Sequence, residues 1–187
     1  MNKSIAIFLF TVFFTSTAHA QIQHDQAAFV RGGYIFTTHS GGDSDQASSP
    51  LAAVGYRTAP LLRGRHAFSI ETEAVYTRDS TDTFQPFTFT NWTITGVAAL
   101  RWEYETGSIV NPYISAGLGP NYRELKVSDG VMKNKNGEWA FGYSGRAGLT
   151  ARLTTDITVE AGYRYLGATQ NPTSGLHAAE FGLNFTF

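Results

Sequence analysis

From Ala179 to Phe187 the chain reads "AEFGLNFTF". Phe181, Leu183, Phe185 and Phe187 fall on one parity, and Glu180, Gly182, Asn184 and Thr186 on the other. Strict period two separates two chemically different faces, which a β-strand does and a helix cannot. Chain ends are commonly frayed and polar, so an aromatic-rich strand running to Phe187 needs a paired neighbour and a surface for its apolar face.

The same sorting recurs upstream. In "FTNWTITGVAALRWEYE", Trp92, Ile94, Gly96, Ala98, Leu100, Trp102 and Tyr104 oppose Thr93, Thr95, Val97, Ala99, Arg101, Glu103 and Glu105. Helical spacing would scatter charges and aromatics around one axis; strand spacing parts them. "EWAFGYSGRAGLTARL" sets Trp139, Phe141, Tyr143, Ala147, Leu149 and Leu153 against Ser144, Arg146, Thr150 and Arg152. "DITVEAGYRYL" sets Ile157, Val159, Ala161, Tyr163 and Tyr165 against Thr158, Glu160, Gly162 and Arg164. "HAFSIETEAVYT" sets Phe68, Ile70, Ala74 and Tyr76 against Ser69, Glu71, Glu73 and Thr77. "AAFVRGGYIF" with Arg31, "LAAVGYR" with Arg57, "PYISAGLGPNY" and the terminal segment bring the expected strands to eight.

Short links ("APLLRGR", "TGSIVN", "LTTDI") alternate with longer polar ones ("THSGGDSDQASS", "RDSTDTFQPFT", "RELKVSDGVMKNKNGE", "GATQNPTSGL"). That alternation implies antiparallel neighbours with one quiet end and one elaborated end. Eight such strands close into an all-β, up-and-down barrel without an unpaired edge, the last strand closing against "AAFVRGGYIF".

Three features orient the faces. Aromatics gather near strand ends (Trp92, Trp102, Tyr104, Trp139, Tyr163, Tyr165), as in interfacial girdles, with small residues between them. The opposite face carries Arg31, Arg57, Glu71, Glu73, Arg101, Glu103, Arg146, Arg152, Glu160, Arg164 and Glu180, whereas lysines after residue 20 are confined to Lys126, Lys133 and Lys135. Arg–Glu pairs without Lys suit a cramped lumen where fork and carboxylate meet in fixed geometry. Gly117, Gly142, Gly148, Gly162 and Gly182 on that side make room for long charged neighbours. The expectation is a transmembrane barrel with apolar residues facing lipid and an ion-pair network inside.

The first twenty residues fit that destination. Lys3, the apolar run "IAIFLFTVFF" and Ala18-x-Ala20 read as a signal peptide cut before Gln21, which leaves residues 21–187 as one barrel domain. Removal of Lys3 leaves 13 basic against 15 acidic side chains, since the whole chain has 14 and 15. No basic excess points to nucleic acid. Cysteine is absent, so an exported domain of this kind must hold together without disulfides.

"NPYISAGLGPNY", "GYSGRAGLTARLTTDITVEAGYRYL" and a last strand ending in Phe resemble the small eight-stranded outer-membrane barrels of Gram-negative bacteria. This group includes the outer-membrane protein A barrel and the opacity-protein-like or porin-family surface antigens. The resemblance implies Phe181, Phe185 and Phe187 as part of the signal read by the barrel-assembly machinery. It also implies a bacterial outer-membrane location and contacts with outer-membrane lipid and lipopolysaccharide. Unlike outer-membrane protein A, this chain is expected to carry no periplasmic peptidoglycan-binding domain after the barrel. It differs from the opacity adhesins in its shorter exposed segments.

The functional expectation is a non-enzymatic surface protein without cofactor or metal, monomeric, with a filled lumen of little or no conductance. Long loops would meet a host or cell-surface ligand, and Arg123, Lys126, Lys133 and Lys135 would meet lipopolysaccharide phosphates. A first alternative is a lipid A acyltransferase with His39, Asp79 and Ser80 converging on outer loops. The related deacylase needs a His-x-Ser-Asn element, and "GYRYLGATQN" has neither His nor Ser. A second alternative is a soluble lipocalin-like barrel of inverted polarity. Asp43 and Asp45 lack the other oxygen ligands of a calcium loop, and His39, His66 and His177 lack metal-ligand spacing. Phe84, Phe87 and Phe89 around Pro86 form an apolar patch on the second long link.

Overall fold

The computed structural model describes residues 26–36, 48–84, 87–128, 133–169 and 175–187. The signal-peptide segment, His39, Asp43 and Asp45 lie outside them. Among the described residues nine strands run β1 (Ala27–Phe36), β2 (Ser48–Arg57), β3 (Leu61–Arg63), β4 (His66–Phe84), β5 (Phe87–Tyr104), β6 (Val110–Ser128), β7 (Lys133–Arg152), β8 (Ile157–Ala168) and β9 (Leu176–Thr186). Neighbours pair antiparallel in the order β2-β1-β9-β8-β7-β6-β5-β4-β3, and a further β2–β4 pairing closes the ring. The result is a closed eight-stranded antiparallel barrel with one three-residue stub.

The stub follows from Pro60. A proline N–H is missing from any ladder, so β2 stops at Arg57 opposite Glu71 and pairing with β4 resumes at Leu61 opposite Phe68. Thr58 spans the interruption: its N–H donates to the Ile70 carbonyl at 2.9 Å, and its hydroxyl accepts from the Ile70 N–H at 3.1 Å. Gly64, at φ 64°, supplies the left-handed residue that lets Arg63 turn back to His66.

The terminal strand is held on both edges. β9 pairs β1 from Thr186 opposite Ala27 to His177 opposite Phe36, and pairs β8 from Phe185 opposite Ile157 to Leu176 opposite Leu166. The Phe187 N–H donates to the Gln26 carbonyl at 2.9 Å. Every second residue from Phe181 to Phe187 points outward and is exposed or half-exposed, while Glu180, Gly182 and Asn184 are buried.

That inversion holds around the ring. Val30, Val54, Ile70, Ile94, Leu100, Ile114, Leu118, Phe141 and Leu149 are exposed, whereas Arg31, Glu71, Arg101, Glu160 and Arg164 are each 2% exposed or less. An apolar exterior around an ionic interior overturns the soluble, lipocalin-like alternative. Such a wall is stable only against hydrocarbon, where every backbone polar group must be paired within the protein, as ring closure provides.

The second and third long links depart from expectation. Pairing of β4 with β5 continues through Arg78–Trp92, Asp79–Asn91, Ser80–Thr90 and Thr81–Phe89. Pairing of β6 with β7 runs on from Arg123–Glu138 to Ser128–Lys133. These segments are polar on both faces, which reads as loop in sequence, yet Thr, Val and Phe still favour an extended chain. The ladder therefore projects past the apolar belt as long hairpins.

Candidate functional site

The lumen holds two layers set by the inward parity of the strands. One layer is ionic: Arg31, Arg57, Arg101, Arg146 and Arg164 face Glu71, Glu73, Glu103, Glu160 and Glu180, five charges of each sign. Glu71 is a hub, accepting from Arg31 at 3.1 Å, Arg57 at 2.7 Å, Arg101 at 3.2 Å and Arg146 at 2.6 Å. Glu160 is a second, paired with Arg57 at 3.3 Å, Arg101 at 3.1 Å, Arg146 at 3.0 Å, and with the Arg31 Nε. Arg164 bridges Glu73 at 2.6 Å and Glu180 at 2.7 Å, and Arg146 also reaches Glu180 at 2.6 Å. Fork-shaped donors and two-oxygen acceptors satisfy one another here without water in the contact.

Two inward aromatics support this layer. The Arg31 guanidinium lies 3.5 Å from the centre of the Phe29 ring, and that of Arg101 lies 3.7 Å from the Tyr113 ring. Both are cation–π contacts in a desolvated setting. The Tyr113 hydroxyl also accepts from Arg146 at 3.2 Å. Sequence reading missed Phe29 and Tyr113, although their parity with Arg31 and Ser115 carried the signal.

The glycines serve a different purpose from the one expected. At Gly182 a Cβ would come within 2.8 Å of Arg31 and 2.9 Å of Glu160, so this glycine does make room for charge. At Gly148 and Gly162 a Cβ would meet the Ala161 and Ala147 carbonyl oxygens of the paired strand at 2.3 and 2.7 Å, with Tyr113 beside them; at Gly117 it would meet Ala99 and Val97, and at Gly142 Thr95.

Glu103 and Arg152 mark the edge of the network. Glu103 pairs with Arg101 at 2.9 Å but keeps 21% of its side chain exposed; it also accepts from the Thr150 hydroxyl at 2.8 Å. Arg152 corrects the sequence reading. It has the inward parity, yet as the last residue of β7 it is exposed and makes no ion pair among the described residues. Parity gives a direction; it does not say where the strand leaves the barrel.

The second layer is apolar. Ile35, Leu51, Ala53, Val75, Val97, Ala99, Leu166 and Ala178 form one buried cluster, with Leu176 packed against it. It sits on the hairpin side of the ions: along β5, Val97 and Ala99 precede Arg101, and along β4, Val75 follows Glu73. Beyond it, Asn121 donates to the Thr95 hydroxyl at 2.7 Å. Ion network and aliphatic collar together occupy the bore of an eight-stranded barrel.

Outside, aromatics gather at both rims. Trp92, Tyr122 and Trp139 follow one another at centroid separations of 5.4 and 5.0 Å near the hairpin end. Tyr163 and Tyr165 pack against His177 at 5.9 and 5.2 Å. Trp102 and Tyr104 surround His66 at the opposite end, where the Trp102 indole N–H donates to the His66 Nδ1 at 3.0 Å.

Of the proposed cationic loop, Arg123 lies within β6 and bonds Asn91 at 3.0 Å, and Lys126 pairs with Glu124 at 3.4 Å. The side chains of Lys133, Lys135, Asp79, Ser80, Phe84, Phe87 and Phe89 lie outside the described residues. Among the described residues no group of His, Asp and Glu is arranged to hold a metal ion.

Comparison with known proteins follows the same architecture. A family model described as "Outer membrane protein beta-barrel domain" matches residues 6–187. The fold is similar to that of Neisserial surface protein A, at 17% identity and a TM-score of 0.56, covering 87% of this chain and 97% of that one. Ail, the attachment invasion locus protein of Yersinia pestis, crystallised with the heparin analogue sucrose octasulfate, gives 12%, 0.59, 88% and 99%. The N-terminal β-barrel domain of Pseudomonas aeruginosa OprF gives 14%, 0.51, 88% and 98%. No curated protein matches by sequence.

Proposed function

We propose that this chain, which belongs to the outer membrane protein β-barrel domain family, is a non-enzymatic surface protein whose closed body presents hairpins and loops to the exterior. The observation that carries the reading is the occupied lumen. Ten mutually paired charges and an aliphatic collar lie in the bore, which supports a lumen without an aqueous path for solutes. A filled cylinder contributes by standing in the membrane and by what its exposed segments touch.

Buried ionic groups can also signal chemistry, but here every carboxylate faces guanidinium groups that are never general acids or bases near neutral pH. The arrangement is therefore read as positional. The same fold serves a surface protein in Neisseria and an attachment invasion protein in Yersinia pestis, which supports a surface-contact role. By this reading the partners are outer-membrane lipid including lipopolysaccharide, a host or cell-surface ligand, and the barrel-assembly machinery during insertion. The outward Phe181, Phe185 and Phe187 at the closing seam would be read by that machinery. The barrel acts as a monomer, exported by a signal peptide removed after Ala20.

Two measurements test the proposal together. Refolded protein in planar bilayers should show no large, stable conductance, and replacing residues 37–47 or 170–174 by Gly-Ser segments should abolish cell-surface binding while leaving the barrel folded. A stable open channel, or binding indifferent to both replacements, overturns it.

A further inference from the structure

Among the residues whose side chains are described, the outward faces of the eight barrel strands carry almost no charge. Reading each strand by its outward parity, these residues are aliphatic, aromatic, Gly, Pro, Thr or His at every position but three: Arg78 on β4, and Glu124 and Lys126 on β6. Those three are not scattered. Arg78 stands opposite Trp92, and Trp92 stands opposite Glu124, across consecutive strands. Tyr76, Arg78, Trp92 and Lys126 line one cavity of about 390 Å³ on the outer wall.

Charge accounting within the cluster leaves a cation over. Glu124 accepts from the Trp92 indole at 3.2 Å and from Lys126 at 3.4 Å. Arg78 is exposed and makes no ion pair among the described residues. Among the described side chains two cations stand against one carboxylate, a net positive charge, with Arg78 outside the Glu124–Lys126 pair.

Its height on the wall names the environment. Residues nearer the barrel middle on the same faces are Ile94, Ala74 and Leu118, which contact hydrocarbon, and the Trp92–Tyr122–Trp139 ladder marks the interface. Cations there cost little only when they meet head groups, and basic pockets between spanning segments are where anionic lipid head groups dock. The site lies toward the long hairpins, the end that faces outward in such barrels. The outward leaflet of a Gram-negative outer membrane is built from phosphorylated glycolipid.

We infer that Arg78 and Lys126 bind a phosphate of one outer-leaflet glycolipid, with Tyr76 and Trp92 packing beside its sugar. Arg78 supplies a fork for two phosphate oxygens, Lys126 a point charge, and Glu124 orients both Trp92 and Lys126. The inference rests on the outer-membrane surface reading but not on the loops or on a closed lumen, so conductance and adhesion results leave it untouched.

The test uses the full refolded chain in zwitterionic phospholipid nanodiscs doped with diphosphoryl lipid A, dephosphorylated lipid A or phosphatidylglycerol, with retained lipid counted by native mass spectrometry. Wild type should retain diphosphoryl lipid A about tenfold more than the dephosphorylated form, as two cations near a surface imply. Arg78→Ser combined with Lys126→Ser should remove that preference, while Arg65→Ser at the opposite rim should not. Both altered side chains of the double variant point outward, so unchanged cold gel mobility confirms its fold. Equal retention by wild type and the double variant overturns the site, and phosphatidylglycerol retained as strongly as diphosphoryl lipid A overturns the glycolipid as its occupant.

Discussion

Glu71→Gln is the sharpest perturbation of the ionic layer, because Glu71 is fully buried and meets four arginines at once. The substitution keeps shape and one acceptor oxygen but changes the lumen from five cations against five anions to five against four. Removing one member of a buried ionic set leaves an uncompensated charge, a loss of about 3–5 kcal/mol. Glu103→Gln provides the internal comparison. Glu103 has one arginine partner and is 21% exposed, so screening by water holds its loss to about 1 kcal/mol. Adding Arg57→Gln to Glu71→Gln restores four against four, and the pair should couple favourably by at least about 1.5 kcal/mol. Guanidinium unfolding in phospholipid vesicles measures wild type, these three variants and Arg57→Gln alone, read by tryptophan emission from Trp92, Trp102 and Trp139 on the barrel wall. The reasoning is refuted if Glu71→Gln lies within about 1 kcal/mol of Glu103→Gln, or if the double variant is merely additive; the magnitudes are those of buried and exposed pairs.

Three further outcomes follow from the same coordinates. Gly119→Ala should destabilise by at least about 1–3 kcal/mol or prevent refolding, because its Cβ would lie 2.1 Å from the Gly96 carbonyl oxygen. Gly32→Ala meets nothing within 4 Å and should be neutral in the same unfolding assay. Ala98→Arg, midway along the lipid-facing row between Trp92 and Trp102, should cost about 2–4 kcal/mol, and Leu153→Arg, 63% exposed at a turn, about 0–1 kcal/mol. Equal costs would mean that the outward row does not meet hydrocarbon. Leu51→Ser with Leu166→Ser wets the aliphatic collar and should raise single-channel conductance severalfold over wild type; no change would place the seal in the ionic layer alone.

Architecture was legible because period two survives in nearly every strand, and the registers place Trp92, Leu100, Arg101 and Phe181 on the faces their parity assigned. The collar was not. Val97 and Ala99 share the parity of Arg101, and composition along one strand does not reveal that its upper inward positions cluster with Ile35, Leu51 and Leu166 from distant strands. Arg152 failed for the converse reason, its face being right and its height past the end of the bore. Strand lengths misled at 78–88 and 123–138, where polarity on both faces marks exit from the membrane rather than the end of pairing. Of the outer-wall cluster the sequence offers Trp92 and Lys126 only as separate residues, because their partnership with Arg78 and Glu124 depends on register across three strands.

Why should a cylinder keep ten charges inside when apolar side chains could fill the same bore? A barrel in a bilayer gains little by hiding apolar groups from water, since its exterior rows already sit in hydrocarbon. What it must settle is register. Because side chains alternate, a slip of one residue exchanges the two faces of a strand. For β7 this would turn Arg146 toward lipid and Ala147 toward the ions; for β4 it would expel both Glu71 and Glu73. An arginine near the bilayer midplane costs about 2–4 kcal/mol, and the partners left behind become buried unpaired charges at about 3–5 kcal/mol each. A single slipped strand thus costs several kcal/mol from charge alone, comparable with the whole stability of a small domain. An aliphatic core of equal volume would penalise the same slip far less, because Leu and Val are at home on either face. The network is therefore best understood as the feature that makes one register of this barrel the only affordable one, with lumen closure as its consequence.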